Sequence, residues 1–433
     1  MPLRLDYQAS DFDAQFKALL SQKRETESDV VDTVKAILND VKARGDQALI
    51  EYTTKFDQFP LTLETIRVSA DEIAACQAQC DPETLAALQI AYDRIVAFHA
   101  CQKPEDLDFV DEAGIGLGYR WTAVGAAGLY VPGGTAAYPS SVLMNAVPAK
   151  VAGVERLVMV VPTPDGVINP LVMAAAELAG VDEVYRIGGA QAVGALAYGT
   201  ETILPVDKIV GPGNAFVAAA KREVFGTVGI DMIAGPSEIL VLADGQNDPS
   251  WIAADLLSQA EHDTSAQAIL MTDDAAFADA VVEAVDAHLK TLPRTKIASE
   301  SWKNYGSVIT VESLASAIPL IDQLAPEHLE IAAEDAEGFA AGIRNAGAIF
   351  LGRHAPEAIG DYVAGPNHVL PTARSARFSS GLGVLDFMKR TSMIRCDAEG
   401  LRQIGPAAKT LADAEGLGAH ALSIAIRLNL PTS

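Results

Sequence analysis

The sequence predicts an α/β protein with two Rossmann-like parallel-sheet domains, a helical N-terminal segment and a short C-terminal arm. Short β-branched runs alternate with alanine-rich stretches from about Val124 onward, which is typical of strands and helices in alternation. The chain has 433 residues, of which 49% are hydrophobic, so it can form more than one hydrophobic core. Chains of this length and composition commonly fold into two or three domains.

The N-terminal segment, residues 1–121, shows helical periodicity over 30–52 and 82–99, with charged residues at the outer positions. No residue pattern in it indicates a chemical function. We expect this segment to be structural and to pack with residues 237–381.

The first α/β domain is predicted to span residues 122–236. A parallel sheet with helices on its faces follows from the alternation, because each strand leads into a helix that returns the chain to the sheet. The predicted strands are 156–161, 183–187 and 208–210, and the predicted helices are 171–179 and 190–198.

The second α/β domain is predicted to span residues 237–381 and repeats the same alternation. The predicted strands are 238–243, 267–272, 307–311, 328–331 and 348–351, and the predicted helices are 252–260, 275–289 and 314–324.

The C-terminal arm, residues 382–433, ends in an amphipathic run over 421–428. An arm of this length cannot bury its own apolar face. We therefore expect it to pack on another domain or on another subunit.

The formal net charge of -25 disfavours two classes of partner, nucleic acid and membrane surfaces, because both are anionic. A small cationic substrate is favoured instead. The N-terminus lacks the apolar run of a signal peptide, and no stretch has the length and apolarity of a membrane span, so we expect a cytoplasmic protein. The four cysteines form no Cys-x-x-Cys pair, which argues against a disulfide framework and a thiolate metal site.

Three glycine-rich turns in the first α/β domain carry Tyr130, Gln191 and Asn214. Glycines at strand-to-helix corners allow backbone N–H groups to approach a phosphate, so the turns indicate either a ligand-binding edge or simply tight turns. None of them matches the dinucleotide fingerprint. A Gly-x-Gly-x-x-Ala string at 416–421 resembles that fingerprint, but it follows no predicted strand, so it does not indicate a dinucleotide site.

A metal site is a hypothesis built on Gln259 and His262, which lie three apart on a predicted helix and so share one face. Asp361 and His420 supply a carboxylate and a second imidazole. This mixed oxygen and nitrogen set suits Zn²⁺, with Mn²⁺ or Co²⁺ as possible substitutes. The alternative is that His262 is an ordinary helical histidine without a metal.

Glu327 and His328 follow a proline at the start of a predicted strand. A histidine exchanges protons near neutral pH, and a neighbouring carboxylate can activate water, so the pair is a candidate catalytic pair. The alternative is a surface pair without function, which the apolar neighbours disfavour.

Taken together, these segments resemble the histidinol dehydrogenase family from about residue 20 to the C-terminus. Several long motifs in order are more specific than any one of them. The resemblance is carried by residues 128–134, 188–192, 211–217, 234–238, 256–262, 325–330, 360–362 and 367–372.

The resemblance implies a reaction and a role for individual residues. Members oxidise L-histidinol to L-histidine through the aldehyde L-histidinal, with two NAD⁺ used in succession and one zinc ion per chain. The implied roles are catalysis by Glu327 and His328; zinc binding by Gln259, His262, Asp361 and His420; substrate binding by Ser237, His368, Glu415, His328 and the zinc ligands; and NAD binding by Tyr130, Gln191 and Asn214.

The resemblance also implies a homodimer in which Glu415 and His420 of one chain complete the site of the other. Three alternatives stay open at this point. They are a zinc hydrolase, a non-catalytic binding protein for a cationic metabolite, and a family paralogue that oxidises another polar alcohol.

Overall fold

The computed structural model describes residues 2–22, 29–133, 138–233 and 235–431. Gly134 and Ala234, which belong to two of the motifs named above, lie outside the described residues. The strands, in chain order, are β1 Leu3–Asp6, β2 Leu107–Val110, β3 Gly116–Ala123, β4 Ala126–Tyr130, β5 Arg156–Val160, β6 Glu183–Tyr185, β7 Lys208–Val210, β8 Gly229–Ile230, β9 Glu238–Ala243, β10 Gln267–Thr272, β11 Ser307–Thr310, β12 His328–Ala332, β13 Ala348–Leu351 and β14 Met388–Arg395.

The helices flank these strands. They are α1 Phe12–Leu20, α2 Asp29–Arg44, α3 Asp46–Asp57, α4 Ala70–Gln77, α5 Pro82–Ala100, α6 Pro139–Ala152, α7 Pro170–Leu178, α8 Gly189–Tyr198, α9 Ala215–Val224, α10 Pro249–Ala260, α11 Ala275–His288, α12 Thr295–Tyr305, α13 Leu314–Leu324, α14 Ala336–Ala341, α15 Glu357–Tyr362, α16 Ala398–Ala414 and α17 Gly418–Leu428.

The chain divides into two compact units. The first comprises residues 1–102 and 125–387, and the second comprises residues 103–124 and 388–433. Two parallel sheets with flanking helices form the first unit, which confirms the predicted α/β class.

A five-stranded parallel sheet has the strand order β6-β5-β4-β7-β8. Strands β5 and β6 are added on one side of β4, and β7 and β8 are then added on its other side. The strand order therefore reverses between β4 and β7, and a crevice opens at the carboxyl ends of these two strands.

A six-stranded parallel sheet has the strand order β1-β11-β10-β9-β12-β13, with a similar reversal between β9 and β12. Every residue of β9, β10 and β12 is buried, because helices cover both faces of the sheet. Helix α10, which packs against β9, starts where the Asp248 side chain accepts a hydrogen bond from the Ser250 N–H, with Pro249 in the first turn.

The N-terminal residues contribute to both sheets. Strand β1 pairs with β11 in the six-stranded sheet, whereas α2 packs against α8 and α9 beside the five-stranded sheet. The predicted helical stretch 30–52 is divided into α2 and α3 at Gly45, which has a φ of 54°. Glycine adopts this left-handed conformation without the steric cost that other residues incur.

The second unit contains an antiparallel sheet of order β14-β3-β2 and the helix pair α16 and α17. Sequence analysis did not predict these strands. None of the helices within the described ranges has the length and apolarity needed to cross a lipid bilayer.

Candidate active site

One cavity in the first unit, of about 930 Å³, brings together most of the residues predicted to be functional. Its walls come from the carboxyl-end turns of the five-stranded sheet and from the amino ends of β9 and β12. The predicted residues that line it are Tyr130, Gln191, Asn214, Ser237, His262, Glu327, His328, Asp361 and His368.

The candidate catalytic pair lies at the amino end of β12, beside the amino end of β9, because His328 is in register with Ile239 of that parallel neighbour. Ligands of open α/β sheets usually bind at the carboxyl ends of strands. At that end of β9, the Arg353 guanidinium donates to both carboxylate oxygens of Asp244, at 2.6 and 2.8 Å, and Asn247 donates to the Ala332 carbonyl. These side chains occupy the position where a ligand is usually found.

The imidazole of His328 is held in one orientation. Its Nδ1 lies 3.0 Å from the Glu238 carbonyl oxygen, which can only accept, so Nδ1 carries the proton. Nε2 is then left with its lone pair and has no hydrogen-bond partner among the described residues. Burial lowers the pKa of His328, which keeps the ring neutral. The arrangement is that of a buried general base.

The Glu327 carboxyl lies on the Nδ1 side of the His328 ring. Its Oε2 accepts a hydrogen bond of 2.9 Å from the Glu238 N–H and lies 3.7 Å from Nδ1 of His328. Burial raises the pKa of Glu327 well above its ordinary value. Such a carboxyl keeps its proton to a higher pH than an exposed glutamate does.

Asp361 is the centre of the imidazole cluster. Its carboxylate oxygens lie 4.0 Å from Nε2 of His262, 3.9 Å from Nε2 of His328 and 3.7 Å from Nδ1 of His368. Helix α15, which carries Asp361, packs closely against Phe350 of β13. The residue before Asp361 is Gly360, and a side chain at that position would collide with the Phe350 ring. A close packing of helix on strand therefore sets the position of Asp361.

Gln259 is fully buried beside this cluster. With its amide oxygen toward the Glu238 N–H, at 3.0 Å, its amide nitrogen donates to Oε1 of Glu357 at 2.9 Å. The other oxygen of Glu357 accepts a hydrogen bond of 2.7 Å from Ser258. The Glu238 N–H, which can only donate, thus fixes which atom of the Gln259 amide faces which neighbour.

Three carboxyls lie behind the site: Glu330 and Glu357 are buried, and Asp255 is half-buried. Burial raises the pKa of Glu357 to about 8 and that of Asp255 to about 6, and it raises the pKa of Glu330 well above the ordinary glutamate value. The backbone N–H of Glu357 donates to Glu330 at 3.1 Å. Since like charges also oppose ionisation, Glu357 holds a proton at neutral pH that an exposed carboxyl would lose.

The position of His262 requires one correction to the sequence analysis. Helix α10 ends at Ala260, so His262 lies on the following turn rather than on the helix, and its N–H donates to the Gln259 carbonyl at 3.1 Å. A helix C-terminus commonly tightens into such i→i−3 bonds. Gln259 and His262 still lie on one side of the helix end.

A possible metal-binding group is formed by His328, Glu357 and Asp361, whose donor atoms all lie within 4.8 Å of one another. With Gln259 and His262 adjacent, the site offers nitrogen and oxygen donors and no thiolate. This donor set fits Zn²⁺ or a similar divalent ion. The orphaned Nε2 of His328 at the centre is consistent with a site that is completed by a ligand.

The three turns of the five-stranded sheet meet at the other end of the cavity. The Gly189 N–H donates to the Tyr130 hydroxyl at 2.9 Å, and Asn214 caps α9 by accepting from Phe216 and Val217. Tyr130 and Asn214, which were predicted to bind NAD, thus also stabilise the local fold. Oε1 of Gln191, in contrast, is buried and has no partner among the described residues.

Tight backbone packing brings these turns together. Gly211, at the end of β7, has a φ of 112°, and a side chain there would overlap the Tyr130 carbonyl. Only glycine permits this approach of the two strand ends.

The remaining residues predicted to bind the substrate or the metal lie at the cavity wall, beside Asp361 and in the second unit. Ser237 lies at the cavity wall just before β9. Nδ1 of His368 donates to the Asp361 carbonyl at 3.1 Å, so its Nε2 accepts a hydrogen bond of 3.4 Å from the Ser141 hydroxyl. Glu415 and His420 belong to the second unit, at the end of α16 and in α17, and both are exposed.

Two residues of the site, Glu357 and Glu238, were not predicted from the sequence. Glu357 lies four residues before Asp361, a spacing that places both carboxyls on one face of a helix. This spacing could have predicted that Glu357 belongs to the site. Glu238 acts mainly through its backbone N–H and carbonyl, and no side-chain pattern reveals such a role.

The chain is similar to known proteins over nearly its full length. Residues 20–428 match the family model described as histidinol dehydrogenase. The chain is 66% identical to the histidinol dehydrogenase of Rhodospirillum rubrum, over 99% of both chains. It is 65% identical to that of Bradyrhizobium diazoefficiens, over 99% of this chain and 100% of the relative.

A solved structure agrees with these relatives. The crystal structure of histidinol dehydrogenase from Elizabethkingia anophelis superposes with a TM-score of 0.94 at 38% identity, and the match covers 99% of this chain and 98% of that one. The chain therefore belongs to the histidinol dehydrogenase family and is an oxidoreductase.

Proposed function

We propose that this protein oxidises L-histidinol to L-histidine through L-histidinal, in the last steps of histidine biosynthesis, with two NAD⁺ and one zinc ion per chain. The single observation that carries the proposal is the shared cavity. It joins a buried His328 with a free Nε2 to the glycine-rich turns at the reversal point of the five-stranded sheet.

In the first oxidation, His328 removes the proton of the alcohol. Its Nδ1–H bond to the Glu238 carbonyl directs the lone pair of Nε2 into the cavity, and its lowered pKa keeps that lone pair available. NAD⁺, when bound, accepts the hydride from the carbinol carbon. The product of this step is the aldehyde.

In the second oxidation, Glu327 directs a water molecule onto the aldehyde with the assistance of His328. The Glu238 N–H orients the Glu327 carboxyl, and the raised pKa makes that group a competent base once ionised. The hydrated aldehyde then loses a second hydride, which a second NAD⁺ would accept, and the carboxylic acid results. Water supplies the added oxygen atom, and protons leave through His328.

For the metal, we propose the ligands Gln259, His262 and Asp361, joined by His420. These residues would hold a zinc ion, which would position the substrate through its imidazole and amino nitrogens and would not activate water. Glu357 stabilises the position of Gln259 through the 2.9 Å hydrogen bond described above. Keeping the substrate bound in this way retains the reactive aldehyde between the two oxidations.

The remaining substrate contacts are assigned to Ser237, His368 and Glu415, together with His328 and the zinc ligands. The net charge of -25 suits a cationic substrate, because it attracts cations toward the protein. Tyr130, Gln191 and Asn214 are proposed to contact NAD⁺, and the orphaned oxygen of Gln191 supports this assignment.

A homodimer with shared sites is part of the proposal, in which Glu415 and His420 of each chain serve the site of the other. It is supported by the apolar side chains that α16 and α17 leave exposed, since Leu411 is 65% and Ile426 is 59% exposed. Apolar faces of this kind mark interfaces.

The domain roles follow from the same assignment. Residues 122–236 bind NAD⁺, residues 237–381 provide catalysis and metal ligands, residues 382–433 form the exchanged arm, and residues 1–121 support the fold. We place the protein in the cytoplasm, where an enzyme of amino-acid biosynthesis meets its substrate and NAD⁺.

Two alternatives are separated by simple assays. The cluster of His328, Glu357 and Asp361 beside Glu327 also suits a zinc hydrolase. Formation of the reduced-nicotinamide absorbance band on mixing with histidinol and NAD⁺ supports the dehydrogenase, and its absence refutes it. A panel of polar alcohols with NAD⁺ and NADP⁺ identifies a paralogue with another substrate.

A further inference from the structure

The carboxylate of Asp57, the last residue of α3, lines the same cavity as Tyr130 and Gln191, although it comes from the N-terminal segment. Asp57 is 9% exposed, and its Oδ2 has no hydrogen-bond partner among the described residues. A buried acceptor without a donor is unfavourable unless a ligand supplies the donor.

The backbone of this region places Asp57 beside the loop that follows β5. The Thr163 backbone lies beside the Asp57 carboxyl, and burial raises the pKa of that carboxyl. Asp57 also lies close enough to Tyr130 to oppose ionisation of its hydroxyl. The carboxyl therefore sits where the loops after β4 and β5 meet.

This position has a counterpart in dinucleotide-binding folds. There, the second strand from the reversal point ends near an acidic residue that accepts a hydrogen bond from the adenosine 2′-hydroxyl. In the present sheet the second strand is β5, and the next acidic residue along the chain, Asp165, is exposed and is not among the described residues that line the cavity. Asp57, which comes from the N-terminal segment, supplies the acidic residue near the end of β5.

We infer that Asp57 accepts a hydrogen bond from the adenosine 2′-hydroxyl of NAD⁺ and selects NAD⁺ over NADP⁺. The inference rests on the proposed NAD⁺ dependence and adds the residue that determines cofactor specificity. A 2′-phosphate would place negative charge against a buried carboxylate, whereas a hydroxyl supplies the donor that Oδ2 lacks.

The test is calorimetric titration of the parent and of Asp57→Asn with three ligands: NAD⁺, NADP⁺, and NAD⁺ that lacks the adenosine 2′-hydroxyl. We expect Asp57→Asn to weaken NAD⁺ binding about tenfold, to strengthen NADP⁺ binding, and to leave binding of the deoxy ligand unchanged. Histidinol binding and metal content should not change. Asp165→Asn is the matched control and should behave as the parent with all three ligands.

Two results overturn the inference alone, provided that the parent binds NAD⁺. One is unchanged NAD⁺ binding in Asp57→Asn, and the other is an equal loss for NAD⁺ and the deoxy ligand, which shows a structural effect. If the parent binds no dinucleotide, the proposed function fails together with the inference. Should Asp57→Asn not fold, as judged by circular dichroism, Asp57→Ser provides the same comparison.

Discussion

Nε2 of His328 lies 3.8 Å from Oε1 of Glu357, and both side chains are almost completely buried. The proximity places a carboxyl with a raised pKa beside the one imidazole nitrogen that carries a free lone pair. Because Glu357 retains a proton near neutral pH, it does not pull a proton onto His328 as an ionised carboxylate would. Burial therefore keeps the imidazole neutral and basic, against the opposing effect of Asp361.

The division of labour in the catalytic pair predicts different effects of two substitutions. His328→Ala should abolish both oxidations, whereas Glu327→Ala should chiefly slow the step from aldehyde to acid, by about 10² to 10⁴. Only that step requires activated water. Turnover on histidinol and on histidinal is the measurement, with the exposed Glu334→Ala and His354→Ala as controls. Equal damage to alcohol and aldehyde oxidation by Glu327→Ala would show that the assignment is wrong.

The metal assignment predicts one divalent ion per chain. His262→Asn should lose the metal and the activity while the fold survives, because the 4.0 Å pairing of His262 with Asp361 lies at the cavity wall and not in a core. Elemental analysis and circular dichroism provide the readouts. His288→Asn is the control, since this histidine bonds to the Ser250 carbonyl and does not line the cavity. A chelated, metal-free sample with full activity would refute the site.

The buried carboxyls predict a pH dependence of stability in the metal-free protein. The pKa of Glu357 rises from the ordinary value of 4.5 to about 8 on folding, so only the folded state holds the proton between these values. Stability contributed by this group is thus complete below pH 4.5 and is lost as the pH rises through about 8, by an amount on the order of a few kcal/mol.

Glu357→Gln should flatten this dependence, because a neutral amide keeps the hydrogen-bonding shape without a charge to bury. The free energy of unfolding of the chelated parent and variant, measured between about pH 6 and pH 9, provides the test. An equally steep decline in both proteins would mean that Glu357 is not the group that titrates.

The shared-site assembly predicts complementation between two inactive variants. Chains with His328→Ala and chains with His420→Ala, refolded together, should form mixed dimers in which one of the two sites is intact. Activity should return although neither parent variant shows any. Mixed dimers that form and stay inactive would show that His420 serves its own chain.

Sequence reasoning predicted the two parallel sheets, because their strands are short apolar runs bounded by glycine and proline. It missed β1, whose Leu3 and Leu5 alternate with charged residues over four residues, too short a pattern to stand out. It also missed the pairing of β14 with β3, since strands so far apart in sequence carry no local signal of their contact.

For the site, sequence reasoning found side chains with strong chemical character, such as His328 and Asp361. It did not find the roles of the Glu238 backbone or of Asp57, because these depend on which strand ends and helix ends meet in space. The placement of the catalytic pair at the amino ends of β9 and β12 was likewise unpredictable from pattern, because ligands of open α/β sheets usually bind at the carboxyl ends of the strands.

The most direct test of the account is the stoichiometry of cofactor reduction with a limiting amount of L-histidinol and an excess of NAD⁺. The account predicts two reduced nicotinamides formed for each histidinol consumed, with L-histidine as the product and no release of the aldehyde. One reduced nicotinamide for each histidinol, with free histidinal in solution, or no reduction at all, would contradict it.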